Sequence, residues 1–385
     1  MTSPQQLQAR VHGAGPTGAL AALALAESGW AVQLHDPMDG AGLLSRSRAY
    51  ALTHSSRRLL EALGLWEALL PHLAPFRSLE LRDRPSRSRV LFERSDLSGC
   101  SGAGAVGWIL QHRPLMELLL QRLIEQPSIQ LQLGAAPSSG ASLGPVDLVV
   151  AADGHASPTR RAAGLHWGSR PYRQGCLTVQ VRMRGCAADQ AWELFRPPGP
   201  FAVLPLGGDA FQLVWSAPLP QLRQLEALDS VAFLEALSAA LPEELQAEVL
   251  LDQPRAYPVA LELAWPLQRR GLVLVGEAAH RCHPVGGQGL NLCWRDVAVL
   301  QRLAAEAAAG RLAPRRLPSC YARRRWLDLL LILLATDALV KLFSNRHPLL
   351  VPLRRVGLGV LARSRALRRL SLAVMTEGPA GLLRP

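Results

Sequence analysis

The sequence predicts an α/β fold: a parallel sheet wrapped by helices, interrupted by an inserted antiparallel sheet and followed by a helical extension. Three observations predict it. A glycine-rich turn joins a strand-like run to a helix-like run near the N-terminus. An apolar run ending in Asp153-Gly154 follows in the middle of the chain. A second glycine-rich turn, Gly286-Gly287-Gln288-Gly289, lies between the apolar run Gly271 to Val275 and a helix-like run from Leu292 to Gly310.

The first turn is Gly13-Ala14-Gly15-Pro16-Thr17-Gly18, followed by apolar Ala19 to Glu27, then Gly29 and the strand-like run Trp30 to Leu34, closing on Asp36. That order is the Rossmann dinucleotide fingerprint: a tight turn, a helix N-terminus for the pyrophosphate, and an acid for the ribose hydroxyls. Asp36 is the candidate ribose ligand. The same pattern recurs in Gly102-Ala103-Gly104-Ala105-Val106-Gly107, but it follows the polar stretch Glu93 to Ser101 and Pro114 comes soon after it. It reads as a loop.

The segment Gly276 to Asn291 carries the most chemistry. Its glycines, Pro284 and amides allow main-chain N–H groups to approach one flat, electron-rich ligand, and a helix start supplies partial positive charge there. A flavin ring is such a ligand, with its pyrimidine edge at Gly286, Gly287, Gln288, Gly289, Leu290 and Asn291. The third element is Val146 to Ala152, Asp153-Gly154, then Ser157 and Arg160.

Taken together, these three elements resemble the FAD-dependent aromatic hydroxylases, the single-component flavoprotein monooxygenases. Within them the chain is similar to the ubiquinone-biosynthesis hydroxylase family. The closer resemblance rests on Ser47-Arg48-Ala49-Tyr50-Ala51-Leu52 with Leu59 to Trp66, on His283 to Leu292 continuing to Arg295-Asp296-Val297, and on Leu342-Phe343-Ser344-Asn345. It spans about Val11 to Met375 and is weakest from Glu80 to Gly107. It implies a glutathione-reductase-like, p-hydroxybenzoate-hydroxylase-like FAD domain. Gly13, Gly15 and Gly18 would then sit on the pyrophosphate, Asp36 on the ribose, and Arg48 and Arg113 near the cofactor. Asp153 and Gly154 would serve both FAD and nicotinamide. Pro284 and Gly287 would lie at the reactive flavin edge, with Gly289 and Asn291 on the pyrimidine side. Glu277 stands where relatives carry Asp or Asn against the ribityl chain.

The resemblance also implies a reaction. NAD(P)H, or an external electron donor, reduces FAD; the flavin captures O2 as a C4a-hydroperoxide; and one oxygen passes to a phenolic ring. No general acid or base is assigned, and His280 and His283 read as packing or backbone-bonding residues. The expected substrate is a polyprenylated phenol of ubiquinone- or plastoquinone-type synthesis. Two other readings stay open: a flavin reductase or dehydrogenase of isoprenoids, and a non-catalytic FAD-containing scaffold that helps assemble quinone-synthesis enzymes.

A chain of 385 residues suits two domains plus an extension. The FAD domain is expected from residues 1–75, 106–170 and 268–320, and the substrate domain from 76–105 and 171–267. In the latter, strands are expected at Cys176 to Met183, Trp192 to Phe195, Phe201 to Leu206 and Phe211 to Ser216, with Gly207-Gly208-Asp209 as a hairpin turn. Helices broken near Pro242 are expected from Leu222 to Leu251, and a loop from Gly134 to Pro145. Six cysteines without metal-ligand spacing, and no cleavable N-terminal signal, point to a reducing compartment and to no metal site.

Charge is uneven. From Arg311 onward there are 15 basic and 3 acidic residues, so this tail holds the whole net charge of +12. Its apolar runs, Trp326 to Ala335, Leu339 to Phe343 and Leu349 to Leu361, fall short of the roughly 20 residues that span a bilayer. Residues 321–385 therefore read as basic amphipathic helices on the inner face of a membrane, in a cytoplasmic peripheral protein. The plainer reading packs them on the FAD domain with solvated arginines. Nucleic acid is excluded as a partner, because Leu and Val rather than aromatic platforms interleave the arginines.

Overall fold

The computed structural model describes residues 6–97, 104–134 and 145–378. Cys100, the first two residues of the second glycine copy, most of the loop after Gly134, and the last seven residues lie outside that range. The first sheet runs Gln268–Arg269, Leu272–Leu274, Leu148–Ala151, Gln8–His12, Ala31–Asp36, Ile129–Leu133 across its width. The last five are mutually parallel. Parallel strands place all their carboxyl ends on one edge, so the turns after His12, Ala151 and Leu274 meet there despite their separation in sequence.

The fingerprint helix, Pro16–Glu27, is buried from Gly18 to Ala26 and packs beneath the long helix Gln288–Ala308. Trp30 locks the pair by donating from Nε1 to the Ala304 carbonyl at 3.1 Å. Polar residues in the central strand have partners: Arg10 donates to Gln33 of the next strand at 3.0 Å, and the His12 ring bonds Thr159 of the short helix Pro158–Ala162 at 3.0 Å. The described end of the second glycine copy enters a strand, Gly107–Gln111, and not a helix. Pro114 falls in the first turn of the next helix, His112–Glu125, where a missing N–H costs nothing.

The second sheet has nine strands. His166–Arg184 runs down its middle, flanked by Arg255–Trp265 and Ala210–Pro218; Phe201–Gly207, Gln190–Phe195, Ser78–Asp83 and Ser88–Glu93 follow in order. The pairing of Gln190–Phe195 with Ser78–Asp83 is parallel, and it draws the segment after residue 76 into a sheet otherwise made of residues beyond 165. Two sequence expectations need correction. No break falls at 170/171, because one continuous strand crosses it. The stretch Leu222 to Leu251 also ends differently: after helices Leu219–Glu226 and Ser230–Ala240 it forms a strand, Gln246–Leu250, that pairs antiparallel with the far half of His166–Arg184. A free sheet edge there outweighs helical spacing.

Three helices close the chain: Leu317–Phe343, Leu350–Arg363 and Arg365–Glu377. The first packs on Gln288–Ala308, the second on Ser88–Glu93, and the third on His54–Ala62. Their arginines are not uniformly solvated. Arg354 is 2% exposed, lies 3.4 Å from Asp83, and donates to the carbonyls of Leu342, Phe343 and Asn345 at 3.2, 3.0 and 3.2 Å. It thereby caps the C-terminus of the preceding helix, holding three of the four carbonyls of the Leu342-Phe343-Ser344-Asn345 motif. Arg368 pairs with Asp96 at 3.0 Å. Among the described residues no helix is long and apolar enough to cross a membrane.

Candidate active site

One cavity of about 970 Å³ opens where the two sheets meet, at the upper end of the roughly 300–1,000 Å³ usual for small-molecule sites. Gly13, Gly15, Asp36, Arg48, Asp153, Gly154, Glu277, Pro284 and every residue from Gly286 to Asn291 line it. Gly15 and Gly289 would meet nothing within 4 Å if each carried a Cβ, so both leave open space for a ligand. Gly18 differs: a Cβ there would lie 1.8 Å from the Gly13 carbonyl oxygen, and it does not line the cavity. Its glycine permits close packing of helix on turn, which corrects its assignment to the pyrophosphate.

Asp36 fastens the turn from the neighbouring strand, accepting from the Ala14 N–H at 2.6 Å and the Met38 N–H at 2.8 Å. Asp153 likewise holds its own loop, accepting from the Ser157 hydroxyl and from the Thr159 N–H at 3.0 Å. Arg160 crosses from that loop to the Ala278 carbonyl at 2.8 Å, its guanidinium 3.6 Å above the Trp167 ring. The second and third motifs are thus tied directly together.

The loop Pro284 to Gly287 enters the helix Gln288–Ala308 through two left-handed residues, Gly286 (φ 69°) and Gly287 (φ 63°), a conformation that penalises any Cβ. The first N–H groups of that helix have no intrahelical acceptor and face the cavity, an arrangement suited to negative charge. The Asn291 side chain is spent internally: its Oδ1 accepts from Ser56 Oγ at 2.6 Å, Thr53 N at 3.0 Å and Thr53 Oγ1 at 3.1 Å, and its Nδ2 donates to Ala51 O at 2.7 Å and Gly287 O at 2.8 Å. What Asn291 offers a ligand is main chain. Glycines that clear a path, two oriented helix starts and an acid at the end of the second strand fit FAD.

The comparisons with known proteins agree. Residues 145–327 match the FAD binding domain family. Over 383 residues the chain is 34% identical to the ubiquinone hydroxylase UbiL of Rhodospirillum rubrum, covering 94% of this chain and 87% of that one. The chain belongs to the ubiquinone-biosynthesis hydroxylase family of FAD-dependent monooxygenases. It is also 29% identical to the 3-demethoxyubiquinol 3-hydroxylase of Escherichia coli, over 96% of this chain and 98% of that one. Among solved structures, p-nitrophenol 4-monooxygenase PnpA from Pseudomonas putida superposes with a TM-score of 0.77 at 17% identity, over 95% of this chain and 96% of that one. PqsL from Pseudomonas aeruginosa gives 0.75 at 21%, over 92% and 100%. Those two likenesses establish the shared fold.

A second residue expected from the family resemblance, Arg113, also lies away from the cavity. Its side chain is 73% exposed and ion-paired to Glu117 one turn on at 2.8 Å. The helix His112–Glu125 turns its inner face, Leu115, Met116 and Leu119, to the core. The residue before Arg113 reaches inward instead: the His112 ring bonds the cavity-lining Tyr50 hydroxyl at 2.8 Å and the Leu43 carbonyl at 2.7 Å.

The two loop histidines are engaged structurally. His280 bonds Asp296 at 2.7 Å, and Arg325 reaches the other oxygen of that carboxylate at 2.6 Å. Burial opposes ionisation of Asp296, yet His280 and Arg325 hold its carboxyl below the usual range. Asp296 also accepts the Gly276 N–H at 2.8 Å, so this network joins the C-terminal helix to the motif strand. Burial lowers the His283 imidazole to about 4, and its Nδ1 accepts the Val285 N–H at 3.2 Å.

For the other half of the cavity the sequence pointed to the inserted sheet as a substrate domain but to none of its lining residues, and not to the C-terminal helices. Leu79, Leu81, Phe195, Leu204 and Val214 from the second sheet, with Ile332, Leu339, Leu361, Leu372 and Met375 from the C-terminal helices, make it apolar. Gln288 connects the halves by donating to the Met375 carbonyl at 3.2 Å. Amid these side chains stands Glu193. Alternation along Trp192 to Phe195 would place such a residue on a solvated face, but both faces of this strand are covered, Trp192 and Leu194 by one cluster and Ala191 and Phe195 by another.

Proposed function

We propose that the protein hydroxylates the aromatic ring of a polyprenylated phenol in quinone biosynthesis, using FAD, O2 and electrons from NAD(P)H or an external donor, at a membrane surface. One observation carries this reading: the motif-lined cavity continues into an apolar chamber walled by C-terminal helices that are apolar outside as well. Leu349, Leu353, Val356 and Val360 form an exposed stripe at helical spacing, beside exposed Leu367 and Leu370. Leu339 and Leu370 both line the chamber and are exposed, which suits a substrate arriving from lipid.

In this reading Gly13 and Gly15 admit the pyrophosphate, Asp36 takes the ribose hydroxyls, and Glu277 faces the ribityl chain. Arg48, Asp153 and Gly154 close on the cofactor. The N–H groups opening Gln288–Ala308 stabilise negative charge on the pyrimidine edge, and Pro284 and Gly287 border the reacting face. Bound there, FAD supplies the reduction of O2 and delivery of one oxygen atom. The apolar wall positions the ring and keeps water out.

The test is turnover of the purified FAD-loaded protein with 2-polyprenylphenols under ¹⁸O₂. One labelled oxygen in the ring is expected. Turnover without O2 consumption would favour the reductase alternative, and bound FAD that neither NAD(P)H nor reduced ferredoxin bleaches would favour the scaffold.

A further inference from the structure

We propose that Glu193 is the base that takes the phenolic proton from the substrate ring. The assignment rests on the hydroxylase reading for its substrate and on geometry for the residue. Glu193 lies on Gln190–Phe195, on the same side of the strand as Ala191 and Phe195, and lines the cavity. Its Oε2 is 3.4 Å from the Gly286 nitrogen, in the loop that borders the reacting face. A ring lying between the second sheet and that loop has this carboxylate beside it.

The surroundings leave Glu193 free for this work. Its register partners are Leu81 and Ala202, and the adjoining lining is Phe195 and Leu204. Among the described residues no cation pairs with it. The ionisable group that feels its charge is the buried Cys176 thiol, whose own neighbours are Tyr257 and Arg48. Tyr257 and Cys176 are both pushed up by burial and stay protonated. His283, in the same loop, stays neutral and is bound to main chain. Burial raises the Glu193 carboxyl to about 7, against a small opposing effect from the Gly286 N–H, which matches a base working near neutrality.

The step balances without a further reagent. The O–H bond of the phenol breaks, its proton forms an O–H bond on Glu193, and the electron pair left on oxygen enriches the ring carbon that attacks the transferred oxygen. The competing role is structural, in which Glu193 only braces the loop by accepting the Gly286 N–H.

The test compares wild type and Glu193→Gln as FAD holoenzymes, since the amide oxygen can still accept from Gly286 but cannot take the proton. The probes are 2-prenylphenol and a nitro-substituted analogue already ionised at the assay pH. FAD content and melting temperature should match. The Kd of 2-prenylphenol, read by flavin fluorescence, should tighten severalfold between pH 6 and 8 in wild type and stay flat in the variant, as a charge-assisted bond forms only to the carboxylate. Hydroxylation of 2-prenylphenol should fall about 10²-fold or more and recover with the ionised analogue. Equal losses with both phenols, an unimpaired variant, or a flat wild-type profile would each overturn the assignment. If Glu193→Gln does not fold, Glu193→Asp and the wild-type profile carry the same decision. A Glu193-dependent Kd profile with no oxygen reaching any ring would uphold the base and remove the hydroxylase reading.

Discussion

The two walls of the cavity are built by opposite means. The motif wall is made of main chain: glycines that let backbone approach, helix starts that present N–H groups, and carboxylates such as Asp36 and Asp153 that hold the turns in shape. The opposite wall is made of side chains from a sheet and three helices, and the carboxylate of Glu193 stands in it among apolar neighbours. A cofactor shared by many proteins is bound by backbone geometry, which tolerates little change. A substrate peculiar to one of them is bound by surfaces that can be exchanged residue by residue.

The largest effects should come from the backbone wall, and two neighbouring glycines separate its tasks. Gly18→Ala places a methyl 1.8 Å from the Gly13 oxygen, so helix and turn must part. Overpacking of this kind costs about 3 kcal/mol or more, and FAD should be lost with stability. Gly15→Ala meets no protein atom. It should melt within about 2 °C of wild type in the apoprotein, a shift worth only a few tenths of a kcal/mol, while FAD affinity falls about tenfold or more. Differential scanning fluorimetry and FAD fluorescence measure the two. Unchanged FAD affinity in Gly15→Ala would remove the turn from the binding site.

The same contrast explains what the sequence made legible. Each motif is a local pattern of strand, turn and helix, so the three turns could be read in isolation, and parallel pairing brings them together. Side-chain partnerships across sequence left no such trace. Asp296 and Arg325 meet because two helices pack, and Arg354 reaches Asp83 from a tail whose arginines looked alike in composition. Glu193 reads as an ordinary outward residue of an antiparallel strand until the second cluster is seen to cover that face. Arg113 shows the reverse error: a family position was carried over, but here the helix directs it to solvent and His112 faces inward.

Where the walls join, His283 gives a mid-sized effect with a definite sign. Its imidazole is fully buried and held near 4, below the usual 6.5. The folded state therefore resists protonation more than the unfolded chain does. Stability from this group is complete above pH 6.5 and is lost as pH falls toward 4, by up to about 3 kcal/mol. His283→Asn keeps an acceptor for the Val285 N–H but does not titrate. Urea denaturation of wild type at pH 6.5 and 4.5 should show the loss, and the variant should show less of it. Parallel slopes in the two proteins would mean that the imidazole is not sealed, and that the join between the walls admits water.

The smallest effect on stability, and the sharpest on location, belongs to the outer face of the side-chain wall. Arg354 is buried and bonded, so removing its charge tests folding and not lipid attraction; an unpaired Asp83 would cost about 3–5 kcal/mol. The exposed stripe is the clean target. Leu349, Leu353 and Val356 are 75%, 61% and 65% exposed, so replacing all three by Ser should move the melting temperature little. Each apolar side chain that enters an interface contributes roughly 1 kcal/mol or more, so the triple variant should bind anionic vesicles about a hundredfold more weakly. FAD occupancy and turnover of a short, water-soluble prenylphenol should be unchanged. Cosedimentation with vesicles measures the first, and a coupled oxygen-consumption assay the second. If the triple variant sediments as wild type does, the stripe faces something other than lipid, and entry of the substrate beside Leu339 and Leu370 loses its physical basis.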